Sequence, residues 1–141
     1  MKIKWYEPDE DSYTLLDVLD SENISNKLII DLGTSTGFLS QNLSKKNLVI
    51  GVDTNRLALE QQNTVSNNLV VANLLKSINQ KNIDIIIFNP PYVLDSLDPI
   101  IGGGVLGREV IDEFINQVEV SLFYLLVIKA NRPEEVKKLI E

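Results

Sequence analysis

Asn89-Pro90-Pro91-Tyr92 follows the apolar run "DIIIF" and joins an amide, two residues without N–H groups and an aromatic ring. The prolines fix an extended path and cannot donate, so the loop offers carbonyl oxygens without competing donors; Asn89 adds an amide oxygen and Tyr92 a flat wall. Such a set can accept both hydrogens of a planar –NH2 group held against the ring. Three more polar groups end apolar runs in the same way. "DLGTSTG" (31–37) has Asp31 and glycines at 33 and 37, which permit a tight turn and a close approach of backbone to a ligand where a helix starts. It is not the dinucleotide fingerprint, because Ser35 stands where the middle glycine belongs, and no Gly-Lys-Ser/Thr follows to make a phosphate loop. Alone, it reads equally well as a plain turn. Asp53 ends "LVIGVD" about 20 residues further on, where an acid in a nucleotide-type fold accepts bonds from both ribose hydroxyls; a helix N-cap is the alternative. Asn73, closing "NLVVAN", suits either the edge of an adenine base or a turn cap.

The absences narrow the chemistry. The 141 residues contain no cysteine and no histidine, so no disulfide framework, no Cys/His zinc site and no Ser-His or Cys-His nucleophile pair is expected. Reaction must rest on carboxylates, amides, backbone groups or a borrowed cofactor. A net charge of −7, with basic runs no longer than pairs, argues against non-specific binding to nucleic acid. No apolar stretch approaches the roughly 20 residues of a membrane helix. "MKIKWYEPDEDS" lacks the apolar core of a secretory signal. The expected location is therefore the cytoplasm, with the nucleus as the alternative.

These residues need a scaffold, and the apolar runs supply one. "KLIIDL" (27–32), "LVIGVD" (48–53), "NLVVAN" (68–73), "DIIIFN" (84–89) and "LFYLLVIK" (122–129) are short, continuous and rich in branched residues, the pattern of parallel strands covered on both faces. Helical spacing is clear over 108–120 and over 133–141 behind Pro133, and weaker over 12–20, 37–45 and 55–63. Alternating strand and helix predicts one domain over 1–141, an α/β fold with a doubly wound, mostly parallel sheet and right-handed crossovers. In such sheets ligands bind outside the carboxyl ends of the strands. All four polar groups fall there.

This arrangement resembles the class I S-adenosylmethionine-dependent methyltransferases, with a Rossmann-like fold, over residues 27–129. "NPPY" is similar to the signature of members that methylate planar amino or amide nitrogens. The resemblance implies that Asp31 and Gly33 line the methionine part of S-adenosylmethionine, Asp53 holds its ribose, and Asn73 and Leu74 flank its adenine, with S-adenosylhomocysteine as the product. It gives Asn89, Pro90 and Tyr92 the catalytic role, with Asn89 also bordering the cofactor and Pro91 completing the substrate slot. The amide nitrogen would be oriented by the Asn89 side-chain oxygen and the Pro90 carbonyl, with no strong base required beforehand.

Adenine N6, cytosine N4 and glutamine N5 all fit such a slot, and the flanks separate them. "WYEPDEDSYTLLDVL" resembles the entry of the eukaryotic and archaeal HemK-like enzymes that methylate N5 of the glutamine in the GGQ loop of class-1 translation termination factors. "GGGVLGREVIDEF" resembles the segment after the target loop in the same subfamily. By that likeness Ser12 borders the cofactor and residues 1–26 cover it. A small zinc-binding activator subunit is the implied obligate partner, pairing with strand 68–73 to form a heterodimer. An N6-adenine methyltransferase acting on DNA or RNA, a protein lysine methyltransferase and a non-catalytic scaffold are the alternatives. The sequence departs twice from the family: Asn73 stands where an acid is usual, and the final strand hairpin is lacking. That leaves "LFYLLVIK" as an expected apolar edge and suggests a chain that continues beyond Glu141.

Overall fold

The computed structural model describes residues 5–62 and 68–141. Five strands form one sheet: β1 (Leu28–Leu32), β2 (Leu48–Asp53), β3 (Asn68–Val71), β4 (Ile85–Phe88) and β5 (Phe123–Leu125). Their order is β3-β2-β1-β4-β5, and every neighbouring pair is parallel. The chain lays down β1, β2 and β3 toward one edge, then returns to place β4 on the other side of β1. Strand order thus reverses between β1 and β4, the position at which such sheets open a crevice at their carboxyl ends.

Side-chain alternation explains the two-sided core. Ile29 of β1 with Ile85 and Ile87 of β4 packs against Leu15 and Leu19 of α1 (Glu10–Ser21) and Leu39 and Leu43 of α2 (Phe38–Leu43). Ile30 and Leu32, with Ile86 and Phe88, face the opposite way onto Phe114 of α4 (Glu109–Gln117), Ala72 and Leu75. Because both faces are covered, β4 is buried at every residue and reads as a continuous apolar run.

Several elements are shorter than their apolar spacing suggests. β3 ends at Val71, before Ala72 and Asn73 turn away. β5 keeps three residues of the expected 122–129, because the chain then bends into a 3-10 turn, Lys129–Asn131, that leads into α5 (Pro133–Ile140). α4 stops at Gln117, after which Val118 is extended; Val118 and Val120 still pack on the same core. α3 spans Arg56–Gln61, and residue 63 of its expected 55–63 lies outside the described residues, as do residues 1–4 of the N-terminal segment.

α1 begins earlier than its apolar spacing implies, at Glu10. The Asp9 carboxylate accepts from the backbone N–H groups of Asp11 (3.0 Å) and Ser12 (3.3 Å), and the Ser12 hydroxyl oxygen accepts from the Asp9 N–H (3.3 Å). That reciprocal capping box satisfies the orphan donors of the first turn. The crossover from β3 to β4 carries no helix. Gln80 pins it instead, donating to the Gln117 carbonyl (3.0 Å) and accepting from the Glu119 N–H (2.8 Å) at the end of α4.

Candidate active site

A cavity of about 800 Å³ opens at the carboxyl ends of the strands, over the reversal between β1 and β4. Gly33, Asp53, Asn73, Leu74 and the whole of Asn89–Tyr92 line it. The strand-end residues singled out by sequence are therefore brought together, with two exceptions. Asp31 and Ser12 are buried behind the wall, and both have their side-chain oxygens engaged by the protein itself. The Ser12 hydroxyl closes the α1 cap. Asp31 Oδ2 accepts from the hydroxyls of Thr34 (2.8 Å) and Ser40 (2.7 Å), fastening the glycine turn to α2 from beneath. Burial pushes the Asp31 carboxyl up to about 6, against the pull of those two donors.

The turn 33–37 alternates into left-handed backbone at Gly33 (φ 67°), Ser35 (φ 48°) and Gly37 (φ 80°). Gly33 is favoured by its φ and not by lack of space: a Cβ there would meet the Phe88 ring at 3.4 Å and the Asn89 carbonyl oxygen at 3.7 Å, ordinary contact distances. Gly37 faces away from the cavity, where a Cβ would lie 2.5 Å from the Gln62 side-chain oxygen. Ser35, the residue that breaks the dinucleotide pattern, is the hub. Its N–H donates to Asp53 Oδ2 (2.9 Å), its carbonyl accepts from Gln62 Nε2 (2.6 Å), and its hydroxyl donates to the Tyr6 carbonyl (2.7 Å) while accepting from the Tyr6 N–H (3.1 Å). The N-terminal segment is thereby stapled across the turn.

These residues fit a ribose-bearing group. Asp53 Oδ2 accepts from the Ser35 N–H and Oδ1 from the Asn55 N–H (2.9 Å each). A carboxylate has about four acceptor positions, so both oxygens retain capacity for hydroxyl donors. Burial raises the Asp53 pKa, and the N–H groups of Asn55, Ser35 and Thr54 oppose that rise. Tyr6 lines the same cavity with a buried hydroxyl that has no hydrogen-bond partner among the described residues. Asp9 and Ser12 stand near it, and burial first, then the Asp9 carboxylate, pushes its pKa up. Beside Asn73, Leu74 adopts φ 51°, and the turn around it is held by the Leu75 N–H donating to Gln117 Oε1 (2.9 Å).

On the other wall, the Tyr92 hydroxyl donates to the Asp11 carboxylate of α1. Burial, and then the charges of Asp9 and Glu10, raise the Asp11 pKa. Tyr92 is therefore more than a wall: its ring is tied to the helix that the N-terminal segment opens. Downstream, Val93 bridges to Gly102 and Ser96 to Gly104, folding 93–107 back beside the cavity. The supporting residues Tyr6, Asp11, Ser35, Gln62 and Gln117 escape a reading by strand ends, because their partners lie far away along the chain. The one local signal among them is the acidic "PDEDS", whose capping box places Asp11.

Comparison with known proteins agrees with this geometry. The chain is 30% identical to human Methyltransferase HEMK2, over 96% of this chain and 77% of that one. It is 36% identical to a Methanocaldococcus jannaschii protein named for N5-glutamine methylation, over 80% of this chain and 64% of that one. A solved structure of the Mtq2–Trm112 complex of E. cuniculi, described as responsible for methylation of the eRF1 translation termination factor, superposes with a TM-score of 0.95 at 54% identity, covering 98% of this chain and 83% of its counterpart. A family model described as "Methyltransferase small domain" matches residues 4–122, and the chain belongs to that family.

Proposed function

We propose that this chain transfers a methyl group from S-adenosylmethionine to N5 of the glutamine in the GGQ loop of a class-1 translation termination factor, working in the cytoplasm with a small zinc-binding activator subunit. The observation that carries this reading is that one cavity has a carboxylate at Asp53 on one wall and the donor-poor Asn89–Pro90 loop on the other. When bound, the cofactor supplies an electrophilic methyl carried on a sulfonium. Asp53 would hold the two ribose hydroxyls, Gly33 would let backbone come close to the methionine part, and Asn73 and Leu74 would flank the adenine.

The target amide would donate one hydrogen to Asn89 Oδ1 and the other to the Pro90 carbonyl. Those bonds turn the amide plane so that its nitrogen lone pair points into the cavity, and Tyr92 forms one wall of the slot. As the new C–N bond forms, the nitrogen becomes acidic and one of its two protons passes to solvent. No general base is needed, which suits a chain without histidine. Positioning and fixed dipoles carry such catalysis.

The name of the M. jannaschii relative supports the choice of glutamine, and the description of the E. cuniculi complex supports a termination factor as the substrate. The free flank of β3 supports the partner. β3 is the sheet edge, with Val70 and Val71 exposed, and an uncovered edge is a template for another chain. Among the described residues no helix is long and apolar enough to cross a membrane.

The decisive test incubates the chain, with its activator, with labelled S-adenosylmethionine and a termination factor carrying GGQ or its Gln→Ala variant. Label is expected on the first and not on the second; label on oligonucleotides alone would overturn the proposal. Asn89→Ala is expected to abolish labelling while leaving cofactor affinity within about threefold, since it removes an acceptor used most fully in the transition state.

A further inference from the structure

The prolines that make the target loop donor-poor also leave it with little hydrogen bonding of its own, so something outside must hold it. Asn131 does so. It is fully buried, and its side-chain nitrogen donates to the carbonyls of Tyr92 (3.1 Å), Leu106 (3.1 Å) and Gly107 (3.3 Å). Its side-chain oxygen accepts from the Ile128 N–H (3.1 Å), which fixes the direction of the amide. One side chain in the 3-10 turn before α5 thus fastens the last residue of the target loop to the return of the 93–107 loop. Gly107 shows how close the two run: at φ 64°, a Cβ there would collide with the Tyr92 carbonyl oxygen and with the Asn131 amide. Asn131 does not itself line the cavity, whereas Tyr92 does, so it acts through what it holds.

We propose that Asn131 is a positioning residue for methyl transfer: by gripping the Tyr92 carbonyl, it sets the place of the Asn89 and Pro90 acceptors relative to the cofactor side of the cavity. This rests on the function proposed above. Asn131→Asp keeps the shape and replaces the NH2 donor by a carboxylate oxygen that faces three carbonyls. Asn131→Ala removes the grip without a charge.

Both variants are made in the complex with the activator. Labelling of the GGQ factor is expressed per cofactor-binding site, titrated with S-adenosylhomocysteine, so that misfolded molecules do not count. In Asn131→Asp, kcat is expected to fall roughly 10- to 100-fold, the scale of a misplaced reacting group, while cofactor affinity changes by less than about threefold. Asn131→Ala should show the same split with a smaller loss. A kcat per site within about twofold of the parent in both variants overturns the assignment, and so does loss of cofactor binding in parallel with activity, which would make Asn131 a residue of the fold alone. A parent protein that labels no factor sinks the proposed function itself; a labelling parent with unaffected variants sinks only the role of Asn131.

Discussion

Ser35 occupies a left-handed backbone position (φ 48°) that a glycine would fill with less strain. Its side chain explains why glycine does not stand there, since the hydroxyl exchanges hydrogen bonds with both backbone groups of Tyr6. Beneath it, Asp31 carries a pH signature. A carboxyl raised in the folded state to about 6 from 3.8 contributes its stabilisation in full below the unfolded value and loses it as pH rises through the folded one. The shift corresponds to about 3 kcal/mol. Asp31→Asn cannot ionise, so urea unfolding at about pH 4 and about pH 7 should show the parent losing stability relative to the variant by up to that amount. Equal pH dependence of the two proteins would refute it. Sequence exposes Asp53 and Asn89 because each ends an apolar run. It hides Ser35, whose partners lie 29, 18 and 27 residues away, and it places Asp31 at the turn without revealing that its carboxylate points inward to Thr34 and Ser40.

Strands are the most legible elements, because burial on both faces writes an uninterrupted apolar run. Their ends are less so. "LFYLLVIK" looks like one long strand, yet the strand is Phe123–Leu125, bonded to β4 as far as the Leu126 N–H on the Phe88 carbonyl (3.0 Å), after which the chain turns toward the buried Asn131. At the opposite edge, β3 makes a sharper prediction about the partner. The Ala72 N–H donates to the Asp53 carbonyl (3.1 Å), and N–H groups alternate in direction along an extended chain, so the Val71 N–H points away from β2. Val71→Pro removes that outward donor without breaking a bond to β2. Co-expression followed by affinity capture should then lose the activator subunit while the chain still binds S-adenosylhomocysteine. Undiminished capture would show that the partner does not use this edge.

Across the whole molecule, the sheet divides the apolar interior into two clusters, and the one beneath the cavity is built on rings. Phe114 is fully buried, with ring centroids 5.0 Å from Phe88 and 5.4 Å from Phe123. Phe88 leads directly into Asn89, so core packing and target loop share a boundary. Phe114→Ala is expected to cost about 3–5 kcal/mol in denaturant unfolding, and a loss below about 1 kcal/mol would mean that the neighbouring rings collapse into the gap. Fold class is legible at this scale from the alternation of strand and helix alone. The reversal of strand order between β1 and β4 is not, because it depends on where the helix-free 72–84 crossover lands. The clamp on Tyr92 adds an ordering along the chain. Asp53, Ser35 and Gln62 meet among themselves early in the sequence, whereas Tyr92 depends on Asn131, 39 residues further along. Any chain cut between Gln62 and Asn131 therefore keeps every residue of the first set and loses the side chain that holds the Tyr92 carbonyl.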